Sequence, residues 1–331
     1  MSPKERYLAC LAGEEMDRPP VTPIFMAWAA HRVGRSYRDY YLDASALVEA
    51  QLAVVREFGL DQASTISDPW READGYGTQL DYPENGVGIA RRYLFADRID
   101  PNLLRPFNPC RASRCLDRIQ AVRMLAKEVG QTHSVLGWVE GPMAELVDLR
   151  GMESAMVDLY EDPDAVHAAM EVLVDKAVDF AECQIEEGAD TIGVGDAAAS
   201  VISPEMYREF VLPHEQDLIS GIQNAGGKVK LHICGDTRKL VPLMAQTGAD
   251  VIDLDYPVHL AEARRQVGPR QVLAGNFNPV SELKDASPDQ VQAAAECCIR
   301  EGGPKAFILQ PGCEVPPGTP VENLRAFCPN A

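Results

Sequence analysis

A strand-like segment near the middle of the chain carries two side chains that bind soft metals. The run VKLHIC, residues 229–234, ends at a Gly-Asp turn. Because side chains alternate between the two faces of a strand, His232 and Cys234 point the same way. Cys313 follows a second apolar run, AFIL, in the turn-rich segment QPGCEVPPG. His-x-Cys with a distant Cys is the ligand set of an open zinc site, in which the fourth position is left for a substrate.

The alternative interpretation is a neutral histidine and two free thiols in the core, where unpaired cysteines are common. Both segments, however, end predicted strands beside glycine turns, which is where barrel enzymes place their catalytic groups. The pattern therefore favours zinc.

The elements that must position these residues alternate regularly between strand and helix. Eight apolar runs are each closed by a turn signal, at residues 21–27, 62–67, 134–141, 190–196, 228–234, 250–255, 271–278 and 305–312. Helical periodicity lies between them, at 44–58, 117–129, 161–187, 204–224, 238–246, 260–267 and 288–301. Strands joined by helices pair in parallel. Eight such units predict an α/β protein with a (β/α)8 TIM barrel.

We predict one domain over residues 1–331, because no linker or internal repeat interrupts the pattern. The stretch 69–115 is rich in Gly, Pro, Asp and Arg, and we interpret it as a loop excursion after the second strand. Its segment LDYPENGVG contains Asn85-Gly86, a common turn of β-hairpins.

In such a barrel the active site lies at the carboxyl ends of the strands. The predicted ends carry polar, aromatic or metal-binding residues: Trp28, Asp68, Glu140, Asp196, His232, Cys234, Asp255, Asn276 and Cys313. For each aspartate the alternative role is a helix N-cap. Trp28 either lines the mouth of the barrel or packs in the core, and Glu140 is a candidate partner for the second nitrogen of His232.

The composition excludes several classes of function. The apolar fraction of 46% is that of a globular protein, and a net charge of −19 argues against nonspecific binding to nucleic acid or to anionic membranes. The nine cysteines form no regular framework, the N-terminus is not a signal peptide, and no apolar run reaches membrane-spanning length. These features predict a cytoplasmic protein.

With these segments placed, the chain resembles the uroporphyrinogen decarboxylase superfamily nearly end to end. It is most similar to the branch of cobalamin-dependent methyltransferases that act on coenzyme M. The resemblance rests on ERY at 5–7, DRP at 17–19, GP at 141–142, LRG at 149–151, GDA at 195–197, SPEMY at 203–207, HICGDT at 232–237, AGN at 274–276 and PGCEVP at 311–316.

The resemblance implies a zinc enzyme with His232, Cys234 and Cys313 as ligands. Asp255 stands where the family has an additional acidic ligand, usually a longer glutamate. The implied reaction moves a methyl group between a corrinoid and a small thiol held as its thiolate, such as coenzyme M. The chain shows no Asp-x-His-x-x-Gly pattern of its own, so a separate corrinoid carrier protein is the expected partner. Trp28 and Asn276 are candidates for contacting the corrinoid, and Asp68 and Asp196 for catalytic groups.

Two other activities and one other class of protein remain open. Porphyrinogen decarboxylases of the superfamily have an aspartate like Asp68, but this chain has Ala27 and His31 where they hold substrate carboxylates with arginines, and Asp148 where they have a tyrosine. Tetrahydrofolate is an alternative methyl acceptor. A zinc- or corrinoid-binding partner without catalysis is the alternative class, against which the intact three-ligand motif argues.

Overall fold

The computed structural model describes residues 1–328. Seven parallel strands form one curled sheet in the order β1-β4-β5-β6-β7-β8-β9, and β2 and β3 form a separate antiparallel hairpin. The strand bounds are Gln62–Ser64 (β1), Gln79–Asp81 (β2), Ile89–Arg92 (β3), Ser134–Glu140 (β4), Thr191–Gly195 (β5), Lys228–Ile233 (β6), Val251–Leu254 (β7), Val272–Phe277 (β8) and Phe307–Pro311 (β9). Helices follow the barrel strands, so the fold is the TIM-barrel-like α/β architecture that the sequence predicts.

A short extended segment occupies the eighth position of the barrel. Val21 forms a parallel bridge with Leu309, and the Leu309 amide donates to the Pro20 carbonyl at 2.8 Å. On its other side Val21 accepts a hydrogen bond from the Asp61 amide at 3.0 Å, immediately before β1. The two ends of the sheet are thereby joined through residues 20–22.

The prediction of a strand over residues 21–27 is wrong beyond the bridge at Val21. Pro23 has no amide hydrogen to donate to a ladder, and Ala27–Arg32 forms a helix. Trp28 therefore lies on a helix and not at a strand end.

The helices surround the sheet, and two short segments are π-helical. The α-helices are Pro3–Ala12 (α1), Ala27–Arg32 (α2), Tyr37–Leu42 (α3), Ala44–Phe58 (α4), Arg71–Tyr76 (α5), Ser113–Val129 (α6), Pro142–Arg150 (α7), Met152–Glu161 (α8), Pro163–Glu186 (α9), Pro204–Met206 (α10), Leu212–Asn224 (α11), Val241–Met244 (α12), Leu260–Val267 (α13), Pro288–Gly302 (α14) and Val321–Phe327 (α15). Tyr207–Val211 and Pro279–Lys284 are π-helical, and Pro101–Leu103 and Ala197–Val201 are 3-10 helices. No helix of residues 1–328 is long and apolar enough to cross a membrane.

Prolines explain two differences from the predicted helices. The predicted helix 204–224 is divided by the π-helical turn, because Pro213 cannot donate a hydrogen bond back into the preceding turn. The predicted helix 238–246 shortens to Val241–Met244, with Pro242 in its first turn. Cys110 and Cys183 are joined by a disulfide that the cysteine count does not predict.

A buried ionic network ties the N-terminal segment to the start of the sheet. The fully buried Asp61 carboxylate contacts the guanidinium groups of Arg6 at 2.5 Å and Arg18 at 2.6 Å, and it accepts from the Val21 amide at 2.7 Å. Arg6 also pairs with Asp17 at 2.7 Å. The ERY and DRP motifs thus contribute to closing the barrel.

We expect Asp61→Asn to lower the free energy of unfolding by about 2 kcal/mol, because hydrogen bonds to charged groups contribute about 1.5–3 kcal/mol each. Denaturant unfolding followed by circular dichroism measures this. Glu49→Gln, which removes an exposed ion pair with Arg35, is the matched control and should leave the midpoint unchanged. Equal midpoints for Asp61→Asn and the wild-type protein would show that the network does not stabilise the closure.

Candidate metal centre

The carboxyl ends of β6 and β9, which are separated in the sheet by β7 and β8, bring the predicted ligands together. His232 lies near the end of β6, where it pairs with Gly195 of β5 and Asp253 of β7, and Cys234 follows directly. Cys313 lies just beyond β9. His232 Nε2 is 2.8 Å from Cys234 Sγ, and the two sulfurs of Cys234 and Cys313 are 3.6 Å apart.

This group has the ligand types of a zinc site, and the separation of its two sulfurs fits one. The three ligand atoms lie within 4.8 Å of one another, and no other His, Cys, Asp and Glu group in the described part of the chain gathers this way. Two sulfurs on a tetrahedral zinc lie about 3.7 Å apart, given a Zn–S bond of about 2.3 Å, and the observed separation matches. The shorter contact between His232 and Cys234 would have to lengthen around a metal.

Glycines make the close approach of the two loops possible. A Cβ atom on Gly312 would lie 2.4 Å from the Tyr256 backbone nitrogen, so only glycine lets the loop before Cys313 pass so near to β7. Gly235, after Cys234, has φ +93°, a conformation that other residues rarely adopt. The glycine turns noted in the sequence therefore set the positions of both cysteines.

A buried polar chain supports the second nitrogen of His232. His232 Nδ1 lies 3.1 Å from Asp253 Oδ2, outside the angular range of a regular hydrogen bond. Asp253 accepts from Gln310 Nε2 at 2.6 Å and lies 3.3 Å from Lys230 Nζ. Such a carboxylate fixes the orientation of a ligating imidazole. The prediction that Glu140 supports His232 is wrong, because Glu140 accepts from Trp138 Nε1 instead.

The side chains of the cluster shift one another's pKa values, and this determines which of them carry a proton. Burial lowers the pKa of His232, but the Cys234 and Asp253 side chains outweigh it and raise that pKa. Hydrogen bonding with Cys234 lowers the pKa of Cys313 to about 4, and the same contact raises the pKa of Cys234. Burial opposes ionisation of Asp253, yet the charges of Lys230 and His232 lower its pKa to about 2. A metal ion would displace the protons of His232 and Cys234.

We therefore expect zinc affinity to fall on acidification, by about tenfold per pH unit for each proton that the metal must displace. Acid lowers the zinc affinity because zinc binds the neutral imidazole and the thiolates, and protonation converts these groups to forms that do not bind it. Titrating zinc release to a chromophoric chelator from pH 8 to pH 5.5 measures it. Zinc retention that does not depend on pH, or equal retention in a Cys313→Ser variant, would rule out these ligands.

Asp255 and Asn276 lie beside the cluster and hold its loops. Asp255 accepts from the backbone amides of Gly235 at 2.7 Å and Tyr256 at 2.6 Å, and it does not join the three-ligand group. Asn276 Nδ2 donates to the carbonyls of Asp255 and Val258. Asp255 thus holds the turn after Cys234, and Asn276 holds the loop that follows β7.

Trp28 packs in the core, and Asp196 binds the start of α7 and does not cap the turn that follows it. Trp28 is buried against Phe25 and Phe58, and its Nε1 donates to the Thr319 carbonyl at 2.9 Å. Asp196 is fully buried and accepts from the amide of Ala144 at 2.6 Å, in the first turn of α7. Burial raises the pKa of Asp196 to about 7.

The cluster of His232, Cys234 and Cys313 opens into a cavity of about 170 Å³ at the carboxyl end of the barrel. Its wall is largely apolar, with three carboxylates among the lining side chains. The lining side chains include Ile24, Met26, Tyr37, Ile66, Ser67, Asp68, Val87, Trp138, Glu140, His232, Cys234, Cys313 and Glu314. Val87 comes from the β2–β3 loop and is half exposed, so this hairpin borders the mouth.

Asp68 lines the cavity but is already paired. Its two oxygens lie 2.6 and 3.0 Å from the Arg114 guanidinium, which comes from α6. Burial alone would raise the pKa of Asp68, but Arg114, Arg71 and Arg118 reverse the effect and lower it. Asp68 is therefore an anion with a dedicated counter-ion.

Comparison with known proteins places nearly the whole chain in one protein family. The sequence profile described as Uroporphyrinogen decarboxylase (URO-D) matches residues 2–330. Methylcobamide:CoM methyltransferase MtaA of Methanosarcina barkeri is 25% identical over 98% of this chain and 96% of the relative. The uroporphyrinogen decarboxylase of Nocardia farcinica is 29% identical over 92% of this chain and 86% of the relative.

A solved structure has the same fold. The "methyltransferase from Methanosarcina mazei" superposes with a TM-score of 0.88 at 23% identity, covering 99% of this chain and 97% of that one. Sequence identity to the two kinds of relative is similar, so the choice between activities depends on the site.

Proposed function

The chain belongs to the uroporphyrinogen decarboxylase family, and from that premise we propose that it is a zinc-dependent methyltransferase acting between a corrinoid and a small thiol. The observation that carries the proposal is the convergence of His232, Cys234 and Cys313 at the cavity. Two cysteines and one histidine are ligands that zinc prefers, and three protein ligands leave a coordination position for a substrate.

The residues of the chain explain why this ligand set suits a thiol acceptor. Zinc held there would keep a bound thiol deprotonated. Because the two cysteines contribute two negative charges and His232 none, the site approaches neutrality and the acceptor sulfur stays electron-rich. Asp253 orients His232, and the apolar wall limits access of water to the acceptor.

In the proposed reaction the acceptor sulfur attacks the methyl carbon of a methylated corrinoid. The S–C bond forms as the Co–C bond breaks, and its electron pair stays on cobalt as Co(I). The corrinoid must approach from the mouth, because a cavity of about 170 Å³ is too small for a macrocycle. A corrinoid carrier protein is the proposed partner at this face.

The cavity fits porphyrinogen decarboxylation poorly. Among the described residues no Lys or Arg lines it, so the carboxylates of a porphyrinogen would lose water without gaining a cation. Asp68 is held by Arg114 and is not free to contact pyrrole nitrogens. Ala27 uses its amide to bind Glu314, and His31 is exposed.

The test combines metal content with methylcobalamin demethylation in the presence of several thiols or of tetrahydrofolate. We expect about one zinc per chain and a change in the methylcobalamin spectrum that depends on a thiol. Turnover with tetrahydrofolate and with none of the thiols would show that the methyl acceptor is a pterin and not a thiol. Decarboxylation of uroporphyrinogen by metal-free protein would overturn the proposal.

A further inference from the structure

We infer that the acceptor thiol carries a positively charged or neutral tail and not an anionic one. This inference rests on the proposed function, and it concerns how the cavity beside the metal cluster selects its substrate. The carboxylates lining this cavity are Asp68, Glu140 and Glu314, and no cationic side chain lines it in the part of the chain that the structure describes. Arg114 neutralises Asp68 from outside the cavity, which leaves Glu140 and Glu314 without a basic partner.

Glu140 is the carboxylate best placed to meet a substrate tail. It is 7% exposed, its Oε1 accepts from Trp138 Nε1 at 3.0 Å, and its Oε2 has no hydrogen-bond partner within residues 1–328. The Trp138 ring lies 6.5 Å from the His232 ring, centroid to centroid. One indole therefore separates the carboxylate from the metal ligands, a span that a thiol with a short tail can bridge.

Further buried carboxylates lie behind Glu140. The Glu140 amide donates to Glu72 Oε1, and Glu72, Glu140 and Glu145 line one small enclosed space. The other oxygen of Glu72, both oxygens of Glu145 and Oδ2 of Asp148 are buried without hydrogen-bond partners. Burial and repulsion between neighbouring carboxylates raise the pKa of Glu140, Glu145 and Asp148, so a cation bound beside them would favour their ionised forms.

The charge of Arg118 acts on Glu72 and Glu140, but it does not pair with either carboxylate directly. Arg118 is fully buried, but it donates to the Trp138 carbonyl and to Ser67 Oγ, and it forms no ion pair with Glu72 or Glu140. Burial makes an unpaired carboxylate unfavourable. A cationic ligand would supply the missing counter-ion.

The rest of the wall suits a cation as well. Trp138 and Tyr37 present aromatic rings, and a cation near an aromatic face is attracted by its quadrupole. A sulfonate or carboxylate tail would instead be desolvated beside acidic side chains and find no basic side chain among the described lining residues. The cavity therefore favours an ammonium over a hydroxyl, and a hydroxyl over a sulfonate.

Three thiols with the same HS–CH2–CH2 unit test this order directly: cysteamine, 2-mercaptoethanol and 2-mercaptoethanesulfonate. The protein is loaded with Co2+, whose thiolate absorption bands report coordination of each thiol without turnover. We expect cysteamine to bind at least about tenfold more tightly than the sulfonate, which corresponds to about 1.4 kcal/mol.

Glu140→Gln separates the role of the tail from that of the sulfur. We expect the variant to lose about tenfold in cysteamine affinity and to bind 2-mercaptoethanol as the wild-type protein does. For each thiol, the affinity of the variant is divided by that of the wild-type protein. This ratio does not depend on the intrinsic acidity of the thiol. Glu153→Gln, on an exposed face of α8, is the matched control and should change neither affinity.

The outcomes distinguish failure of the inference from failure of the proposed function. If no thiol changes the cobalt spectrum, thiol activation at this cluster is wrong, and the inference falls with it. If thiols coordinate but the sulfonate binds most tightly, the proposed function stands and the charge preference is overturned. The wild-type ranking decides this even if Glu140→Gln does not fold. If that variant folds and leaves the cysteamine affinity unchanged, Glu140 does not select the tail.

Discussion

Replacing Cys234 or Cys313 by alanine is expected to remove bound zinc and to slow thiol methylation by at least about a thousandfold. Without the metal a small thiol is mostly protonated at neutral pH, and the thiolate is the reactive nucleophile. The same substitution removes the group that would position the sulfur, so activation and orientation are lost together. Zinc content and methylcobalamin demethylation measure the two losses on the same preparation.

The fold should survive both substitutions. Cys234 and Cys313 are only partly buried and lie in loops beyond β6 and β9, outside the hydrophobic core. Stability must be compared between metal-free proteins, because a ligand that binds only the folded state stabilises it. Cys297→Ala, at a partly buried position on α14, controls for removal of a thiol elsewhere. A folded Cys234→Ala or Cys313→Ala protein with the wild-type rate would refute the zinc-thiolate mechanism.

The convergence of His232, Cys234 and Cys313 was predictable because local rules determine most of it. Alternation along one strand puts His232 and Cys234 on one face, and glycine turns follow or precede the two cysteines. Asp253 obeys the same rule on β7, in the run DVIDLD, where it and Asp255 share a face. The contact between Asp253 and His232 is not predictable from the sequence, because it depends on the register between β6 and β7, which no local pattern reports.

The barrel was predictable from the alternation of strands and helices, and its first unit was not. Seven of the eight apolar runs became strands of the sheet. The run from Val21 to Ala27 predicts a full strand because most of its residues are apolar, yet only Val21 forms a bridge to β9. Because residues 27–32 form a helix in place of the end of this strand, Trp28 packs against Phe25 and Phe58 and not at the mouth of the barrel.

A long-range ion pair accounts for the difference at Asp68. Asp68 ends the run after β1 as predicted, but its partner Arg114 lies 46 residues away on α6. A single sequence shows each residue and not the pairing. An aspartate that looks available for a substrate can therefore be the buried half of an ion pair, and this changes what its substitution measures.

Asp68→Ala is expected to lower the free energy of unfolding by about 3–5 kcal/mol, because it leaves the buried Arg114 without its counter-ion. The pKa of Asp68 is lowered in the folded protein. The ionised Asp68 therefore contributes its full stabilisation above the pKa of about 3.9 that an aspartate has in the unfolded chain. This stabilisation is lost as the pH falls through the lower pKa of Asp68 in the folded protein. Denaturant unfolding at pH 7 and at acidic pH measures both effects.

The double variant Asp68→Ala/Arg114→Met separates stability from chemistry. Removing both charges together avoids an unpaired buried ion, so we expect it to regain most of the lost stability. If Asp68 serves only to pair with Arg114, the double variant should also keep its zinc and its thiol methylation. A decarboxylase that needs this aspartate for its substrate would stay inactive when stability returns. A stable, zinc-loaded double variant without methyl transfer would show that Asp68 is required by the chemistry itself.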